Sequence, residues 1–115
     1  MKVTLKQAQK KHKHGIDLCV YKTKRREVGI VYEKTQKGHF EEFYHKRSTY
    51  IYYVLKGRGE FYLNGKKTAV RATDVIVVPP VTRIYFLGKM ELILITVPAW
   101  QAKYEVHVRD IEKRN

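Results

Sequence analysis

The sequence predicts an all-β fold, a single antiparallel domain of the sandwich or barrel type. Short apolar runs rich in β-branched and aromatic residues recur along the chain, and turn residues separate them at regular intervals. Almost no segment has the period of an amphipathic helix. With 115 residues, of which 43% are hydrophobic, the chain is long enough to bury one core.

The first third of the chain predicts an arm followed by two strands. Residues 1–14 are rich in Lys and His, and Thr4 is a suitable helix cap, so we expect a frayed arm or a short helix. Strands are predicted for residues 16–20 and 27–33, with a basic turn between them.

The centre of the chain predicts a hairpin. Aromatic and aliphatic residues fill positions 50–55, a Lys-Gly-Arg-Gly segment is typical of a turn, and a second apolar run covers residues 61–63. Asn64 and Gly65 form the dipeptide most typical of a two-residue reversal, which leads into a further strand.

The last third predicts three or four more strands. A β-branched run at residues 75–78 ends at two prolines, which cannot donate to a strand ladder. Residues 83–87 and 91–97 predict two strands around Gly88. We therefore divide the single domain into a basic arm with a first strand (1–27), a barrel core (28–100) and a C-terminal strand or tail (101–115).

Composition limits the class of protein and its location. The single cysteine excludes an internal disulfide, and no apolar run is long enough to cross a bilayer, so a cytoplasmic protein without membrane contact is expected. The formal charge of +13 favours encounters with anions such as nucleic acid or phosphorylated metabolites. A solvated surface without an assigned partner is the more common explanation of such a charge pattern.

Two motifs resemble those of the cupins, small β-barrels of the jelly-roll type. In the first motif Gly38 and Gly57 stand at the two ends, and the spacing puts the family's two histidine positions at Phe43 and His45 and its glutamate position at Tyr50. The second motif matches residues 74–83. The resemblance covers residues 28–100 and implies a single-domain jelly-roll barrel.

The same resemblance implies that this barrel lacks the family's metal site. Metal-binding cupins hold Fe, Mn, Zn or Ni with three histidines and a glutamate, whereas Phe43 and Ile84 occupy two of the histidine positions here. We therefore expect no cofactor. If a divalent metal were bound, its ligands would be Glu41, His45 and Tyr50.

Strand alternation, anchored on those family positions, predicts an interior pocket with aromatic walls. His45 and Tyr50 are the candidate catalytic residues, because a histidine beside a phenol can act as a general base. A lone histidine in a barrel is more often a hydrogen-bonded structural residue, so whether the protein is an enzyme stays open. The candidate ligand-binding residues are Glu41, Phe43, Tyr52, Arg83, Ile84 and Phe86.

Three functional hypotheses follow. The first is a metal-free barrel that binds a small anionic or sugar-like ligand, with acid–base chemistry of the isomerase or epimerase type. The second is a basic module that associates with nucleic acid or acts in regulation, and the third is a metalloenzyme with an altered ligand set. The outward positions 51, 53, 55 and 85 carry no charge, which predicts a homodimer.

Overall fold

A computed structural model describes residues 1–112, which form nine antiparallel strands and two short 3-10 helices. Residues 113–115, the end of the predicted tail, lie outside the described residues. The helices cover Leu5–Gln7 and Ala102–Tyr104. The strands are β1 (Gln9–Lys13), β2 (Ile16–Tyr21), β3 (Gly29–Thr35), β4 (Gly38–His45), β5 (Thr49–Leu63), β6 (Lys66–Arg71), β7 (Val75–Val78), β8 (Ile84–Val97) and β9 (Glu105–Asp110). Within residues 1–112, no helix has the length and apolar character that a bilayer span requires.

Strand β8 is the centre of the sheet. Along one edge it pairs with β3 through its C-terminal half and with β4 through its N-terminal half. Along the other edge it pairs with nearly the whole of β5. Strands β1 and β2 extend the sheet beyond β3, and β9 extends it beyond β4, so that the strands curl around one core. This arrangement confirms the predicted antiparallel all-β barrel.

The predicted central hairpin is wrong, because β5 is one continuous strand. Gly57, with φ +86°, lies beside a register shift between Val54 and Lys56, and the strand then continues to Leu63. Its first part pairs with β7 and its second part with β6. The glycines therefore bend a long strand from one partner to the next instead of reversing it.

The predicted break at Gly88 is also wrong, because β8 is one continuous strand. Residues 83–87 and 91–97, which the sequence divides around Gly88, belong to one strand that begins at Ile84. Gly88 pairs with Gly59 of β5 and has φ +125°. A Cβ atom at Gly88 would lie 2.6 Å from the Arg58 carbonyl oxygen, so glycine is needed where the two bent strands approach each other.

Two other turn and terminus predictions have clear outcomes. Asn64 and Gly65, with φ +51° and +80°, form the predicted two-residue reversal between paired Leu63 and Lys66. Near the N-terminus the short helix forms after Thr4, as expected. The residues that follow do not fray: strand β1 pairs with β2 in register.

The core is filled by rings at one end and left partly open at the other. Tyr52, Phe61 and Phe86 are among the least exposed large side chains. The rings of Phe61 and Phe86 stack with their centroids 4.8 Å apart, and the Tyr52 ring meets both edge-on. Beyond Tyr52, toward β1 and β2, the packing gives way to a cavity.

Candidate functional site

A cavity of about 360 Å³ lies between the first three strands and the aromatic core. Its inner wall is formed by buried side chains from several strands, which are His39, Phe43, Tyr50, Tyr52, Glu33 and Leu94. Ile16 and Leu18 of β2 form an apolar side wall. The volume is that of a small-molecule site, and an apolar lining with a few buried polar groups is typical of such sites.

Strand alternation explains why these side chains meet. Residues two apart on a strand share a face, so Val31 and Glu33 of β3 point inward together, as do Tyr50 and Tyr52 of β5. His39 and Phe43 of β4 are both buried, and the register of β4 with β8 shifts between them. The site is thus assembled by strands far apart in sequence.

His39 is a neutral imidazole with a defined tautomer. Its Nδ1 lies 3.0 Å from the backbone carbonyl oxygen of Glu41, which can only accept, so Nδ1 carries the hydrogen and Nε2 carries the lone pair. Burial, together with the positive charges of Lys13 and His14, lowers the pKa of His39 to about 3. At neutral pH its Nε2 is therefore an unprotonated acceptor.

The carboxyl group of Glu33 also is uncharged at neutral pH, because it keeps its proton. The side chain is 3% exposed, its Oε1 has no hydrogen-bond partner among the described residues, and burial raises the pKa of the carboxyl group to about 8. The Lys13 ammonium group acts in the opposite direction but does not overcome the burial. The cavity wall thus contains a neutral carboxylic acid, which can donate a hydrogen bond.

Lys13 connects the buried part of the cavity to its entrance. Its Nζ lies 3.8 Å from Oε2 of Glu105 and 5.6 Å from the centroid of the Trp100 ring. The indole Nε1 donates to the Glu105 carboxylate at 3.2 Å. Together these three side chains form a polar group beside the apolar wall of β2.

The two tyrosines keep their phenolic protons. Burial raises the pKa of both Tyr50 and Tyr52, so each hydroxyl is a hydrogen-bond donor at neutral pH. Phe86 lies behind this wall, since its ring stacks on His39 with centroids 5.4 Å apart and meets Tyr52 at 5.6 Å. His39, Tyr52 and Phe86 therefore form one ring cluster.

His45, the predicted catalytic histidine, lies outside this cavity. Its Nδ1 accepts the backbone N–H groups of Arg47 and Ser48 at 3.1 and 2.8 Å, and its Nε2 therefore donates to the Gln101 carbonyl oxygen at 3.2 Å. It lines only a crevice of about 10 Å³, which Tyr50 shares. These contacts are those of a structural residue, and a catalytic role for His45 stays a prediction.

The other predicted ligand-binding residues are divided by the fold. Phe43 and Tyr52 line the main cavity, whereas Ile84 lines the crevice. Glu41 is buried beside His39 and does not line the cavity: its Oε1 lies 4.0 Å from His39 Nε2. Its Oε2 accepts from His107 Nδ1 at 2.8 Å, which raises the pKa of that histidine. Arg83 is exposed, and its backbone N–H donates to the Asn64 side chain at 3.0 Å.

The residues at the family's metal positions do not fit a metal ion. Phe43 and Ile84 have no donor atoms, and both nitrogens of His45 already form hydrogen bonds. Tyr50 keeps its proton. In residues 1–112, no group of three or more His, Cys, Asp and Glu side chains has the arrangement that a metal ion requires.

Sequence reasoning missed His39, Glu33 and Lys13. His39 could have been found, because it lies two residues before Glu41 and therefore on the same, inward face of the predicted strand. Glu33 is the last residue of the second predicted strand (27–33), and alternation places it on the same face as Val31. Lys13 has no local signal, since its place at the cavity depends on β1 forming a strand where an arm was expected.

The chain belongs to the cupin family. The family model described as "Cupin domain" matches residues 31–97. None of the curated proteins matches the sequence. Among solved structures, one described as Pac13, a nucleoside dehydratase, is 44% identical, with a TM-score of 0.95; the alignment covers 97% of this chain and 93% of that one.

Other solved structures extend the comparison. A Streptomyces PAC13 variant in which a histidine is replaced by glutamine, with uridine, is 43% identical with a TM-score of 0.95, and the match covers 96% of this chain and 92% of that one. KdgF from Halomonas sp. is 20% identical with a TM-score of 0.74, over 88% of this chain and 96% of that chain. The latter likeness concerns the fold alone.

Proposed function

We propose that this cupin binds a uridine-like nucleoside in the cavity beside His39 and carries out acid–base chemistry of the dehydratase type. The observation that carries the proposal is the buried cluster of a neutral histidine, a protonated carboxyl group and two phenols on the wall of a cavity of about 360 Å³. A flat heterocycle suits the aromatic wall, and ribose hydroxyls suit the polar groups.

The variants of the neighbour support the same cluster. In PAC13, structures with uridine exist for variants of one histidine and two tyrosines, and these positions are spaced by thirteen and then thirty-four residues. In this chain the same spacing joins His39, Tyr52 and Phe86. The Phe86 ring contacts both of the others, so the spacing corresponds to a physical cluster here.

The third of these positions has a phenylalanine, Phe86, where PAC13 has a tyrosine. Phe86 has no hydroxyl, as in the phenylalanine variant of PAC13 that was solved with uridine. Nucleoside binding is therefore compatible with phenylalanine at that position. The proton-transfer groups of this chain must then be sought among His39, Tyr52, Lys13 and Glu33.

The proposed step removes water across two neighbouring carbons. The lone pair on Nε2 of His39 takes a proton from one carbon, the C–H electrons form the new C=C bond, and the adjacent hydroxyl leaves as water after it gains a proton. Lys13, Glu33 and the phenols of Tyr50 and Tyr52 all carry protons on the cavity wall, and any of them can supply the proton for the leaving hydroxyl. A carbonyl next to the C–H is needed to make that carbon acidic.

Calorimetric titration with uridine tests the binding proposal. We expect uridine to bind, and Leu18→Phe to weaken binding at least about tenfold, because the added ring occupies the apolar side wall. Cys19→Phe is the matched control, since its side chain points to the other face of β2. Equal uridine affinities for both variants, with unchanged melting temperatures, would place the nucleoside elsewhere.

Mass spectrometry of reaction mixtures tests the chemistry. The protein is incubated with uridine and with carbonyl-bearing oxidation products of uridine, and loss of one water is measured. We expect His39→Gln to abolish the loss of water and to keep uridine binding within a few-fold. Full activity of His39→Gln would exclude this histidine as the base.

A further inference from the structure

The entrance of the cavity carries more positive charge than a neutral nucleoside needs. Exposed cations from two segments line it: Lys11 from β1, and Lys22, Lys24 and Arg25 from the loop between β2 and β3. We call these four residues the mouth. Lys13, half-buried, adds a fifth cation further in.

Little negative charge offsets these cations. Two carboxyl groups of the described residues line the cavity. Glu33 is neutral at pH 7, and Glu105 forms an ion pair with Lys13 and accepts a hydrogen bond from Trp100. Of the mouth residues, only Arg25 has an ion-pair partner within residues 1–112, since its Nε donates to Glu27 at 2.6 Å. Lys22 and Lys24 have no ion pair in the described part of the chain.

The mouth is held in a fixed place relative to the cavity. The backbone carbonyl of Arg26 accepts the Ala99 N–H at 3.0 Å, which ties the β2–β3 loop to the segment that carries Trp100. On the opposite side, Lys11 lies 5.8 Å from the centroid of the Trp100 ring. A ligand seated against the inner wall therefore emerges between lysines and a flat aromatic ring.

We propose that the natural ligand is a nucleoside bearing an anionic group, of the phosphate monoester class, and that Lys22, Lys24 and Lys11 hold this group at the mouth. The inference rests on the proposed function, because the nucleoside occupies the cavity and its anion the entrance. Ammonium groups bind phosphate oxygens through charge-assisted hydrogen bonds, and two or more around one dianion reinforce each other.

The test compares uridine, uridine 5′-monophosphate, uridine 3′-monophosphate and inorganic phosphate by calorimetry at low salt. At least one monophosphate is expected to bind about tenfold or more tightly than uridine, and its advantage is expected to shrink as salt is raised. The double variant Lys22→Gln/Lys24→Gln should bring that monophosphate to within about threefold of uridine, with uridine affinity unchanged. Lys66→Gln/Lys67→Gln is the matched control, because it removes the same charge from the β5–β6 hairpin, away from the cavity.

The outcomes separate this inference from the proposed function. If uridine binds and neither monophosphate binds more tightly, the anion site is overturned while the nucleoside site stands. If the control variant loses the advantage as much as the mouth variant, the effect is one of net charge and the assignment to the mouth is wrong. If inorganic phosphate binds as tightly as the better monophosphate, the mouth is a general anion site and the nucleotide assignment is overturned. If no nucleoside or nucleotide binds, the proposed function has failed and this inference with it.

Discussion

Glu33 is a carboxylic acid in surroundings that favour its neutral form. The pKa of the group is raised from an ordinary 4.5 to about 8 by burial, so the folded protein holds a proton that the unfolded chain releases above pH 4.5. Because the folded state then binds more protons, the free energy of unfolding should fall as the pH rises through this interval. The loss is complete once the pH passes about 8.

The window from pH 6.5 to 8 separates the effect of Glu33 from that of His39. The pKa of His107 is also raised above 6.5 on folding, so this histidine adds to the decline in the wild type and in a Glu33 variant alike. His39 acts in the opposite sense, since its pKa falls from 6.5 to about 3 on folding and it costs stability only as the pH drops below 6.5. We predict that Glu33→Gln, which keeps shape and neutrality, flattens the decline of unfolding free energy between pH 6.5 and 8. The wild-type decline should be on the order of 1–2 kcal/mol.

Urea unfolding at several pH values within that window measures the prediction. Glu60→Gln is a suitable control, because Glu60 lies on β5 and does not line the cavity. The charge of Glu60 is not among the causes that shift the pKa of Glu33. A Glu33→Gln slope as steep as that of the wild type would assign the pH dependence to another group.

At the residue scale, the sequence predicted the wall of the site better than its chemistry. Phe43, Tyr50 and Tyr52 follow from alternation on strands whose phase the cupin motifs fix, and all three line the cavity. His45 has the right residue type at a family position, but its ring is held by backbone groups from positions 47, 48 and 101. Those contacts are set by how the loop after β4 folds back, which no local pattern records.

At the level of strands, apolar runs predicted most of the strands. Strand β1 has no apolar run and was expected to be an arm. The other errors lie at glycines. Gly57 and Gly88 have the local signature of turns, and only the pairing of β5 with β8 shows that they are bends. Pairing between segments about thirty residues apart in sequence is not visible in either segment alone. The reversal at Asn64 and Gly65 was predictable, because its partners are adjacent.

The bend in β8 gives a prediction for strand stability. Gly88→Ala should destabilise the fold by about 2–4 kcal/mol, because φ +125° disfavours a side chain and the new Cβ would lie 2.6 Å from Arg58 O and Gly59 Cα. Gly65→Ala is the comparison. It also has positive φ, +80°, but no atom lies within 4 Å of its added Cβ, so we expect a loss of only about 1 kcal/mol.

Chemical unfolding of the two variants separates strain from crowding. A difference of about 1 kcal/mol or more between them, with Gly88→Ala the weaker protein, is the expected result. Equal losses would mean that β5 and β8 move apart without cost and that close approach of the strands is not required.

At the scale of the whole molecule, the charge of +13 is distributed so that part of it surrounds the cavity entrance. Composition alone predicted an attraction for anions but could not locate it. The fold brings Lys11 and Lys13 of β1 to the same opening as the loop after β2. The opening of the cavity thereby has a local excess of positive charge, which favours the approach of anions to this end of the barrel.

The remaining whole-molecule feature is an apolar strip on the outer face of β5 and β7. Tyr53 pairs with Val75 and Ile51 with Val77, and Tyr53, Val75 and Val77 are 39%, 53% and 54% exposed. Strand β7 pairs only with β5 in residues 1–112, so its other edge has unpaired backbone groups. An apolar face next to an open edge is what a second copy of the chain would cover.

We therefore predict that the protein is a homodimer through this strip, and that Val75→Lys/Val77→Lys makes it a monomer in sedimentation velocity at micromolar concentration. Two lysines on each copy would bring like charges together across the interface. Val108→Lys on β9 adds one lysine at another exposed valine, outside the strip, and should leave the dimer intact. Uridine affinity should be unchanged in the monomer, because neither valine lines the cavity. A wild-type protein that sediments as a monomer at tens of micromolar would refute the dimer, and a dimer that survives both lysines would place the interface on another face.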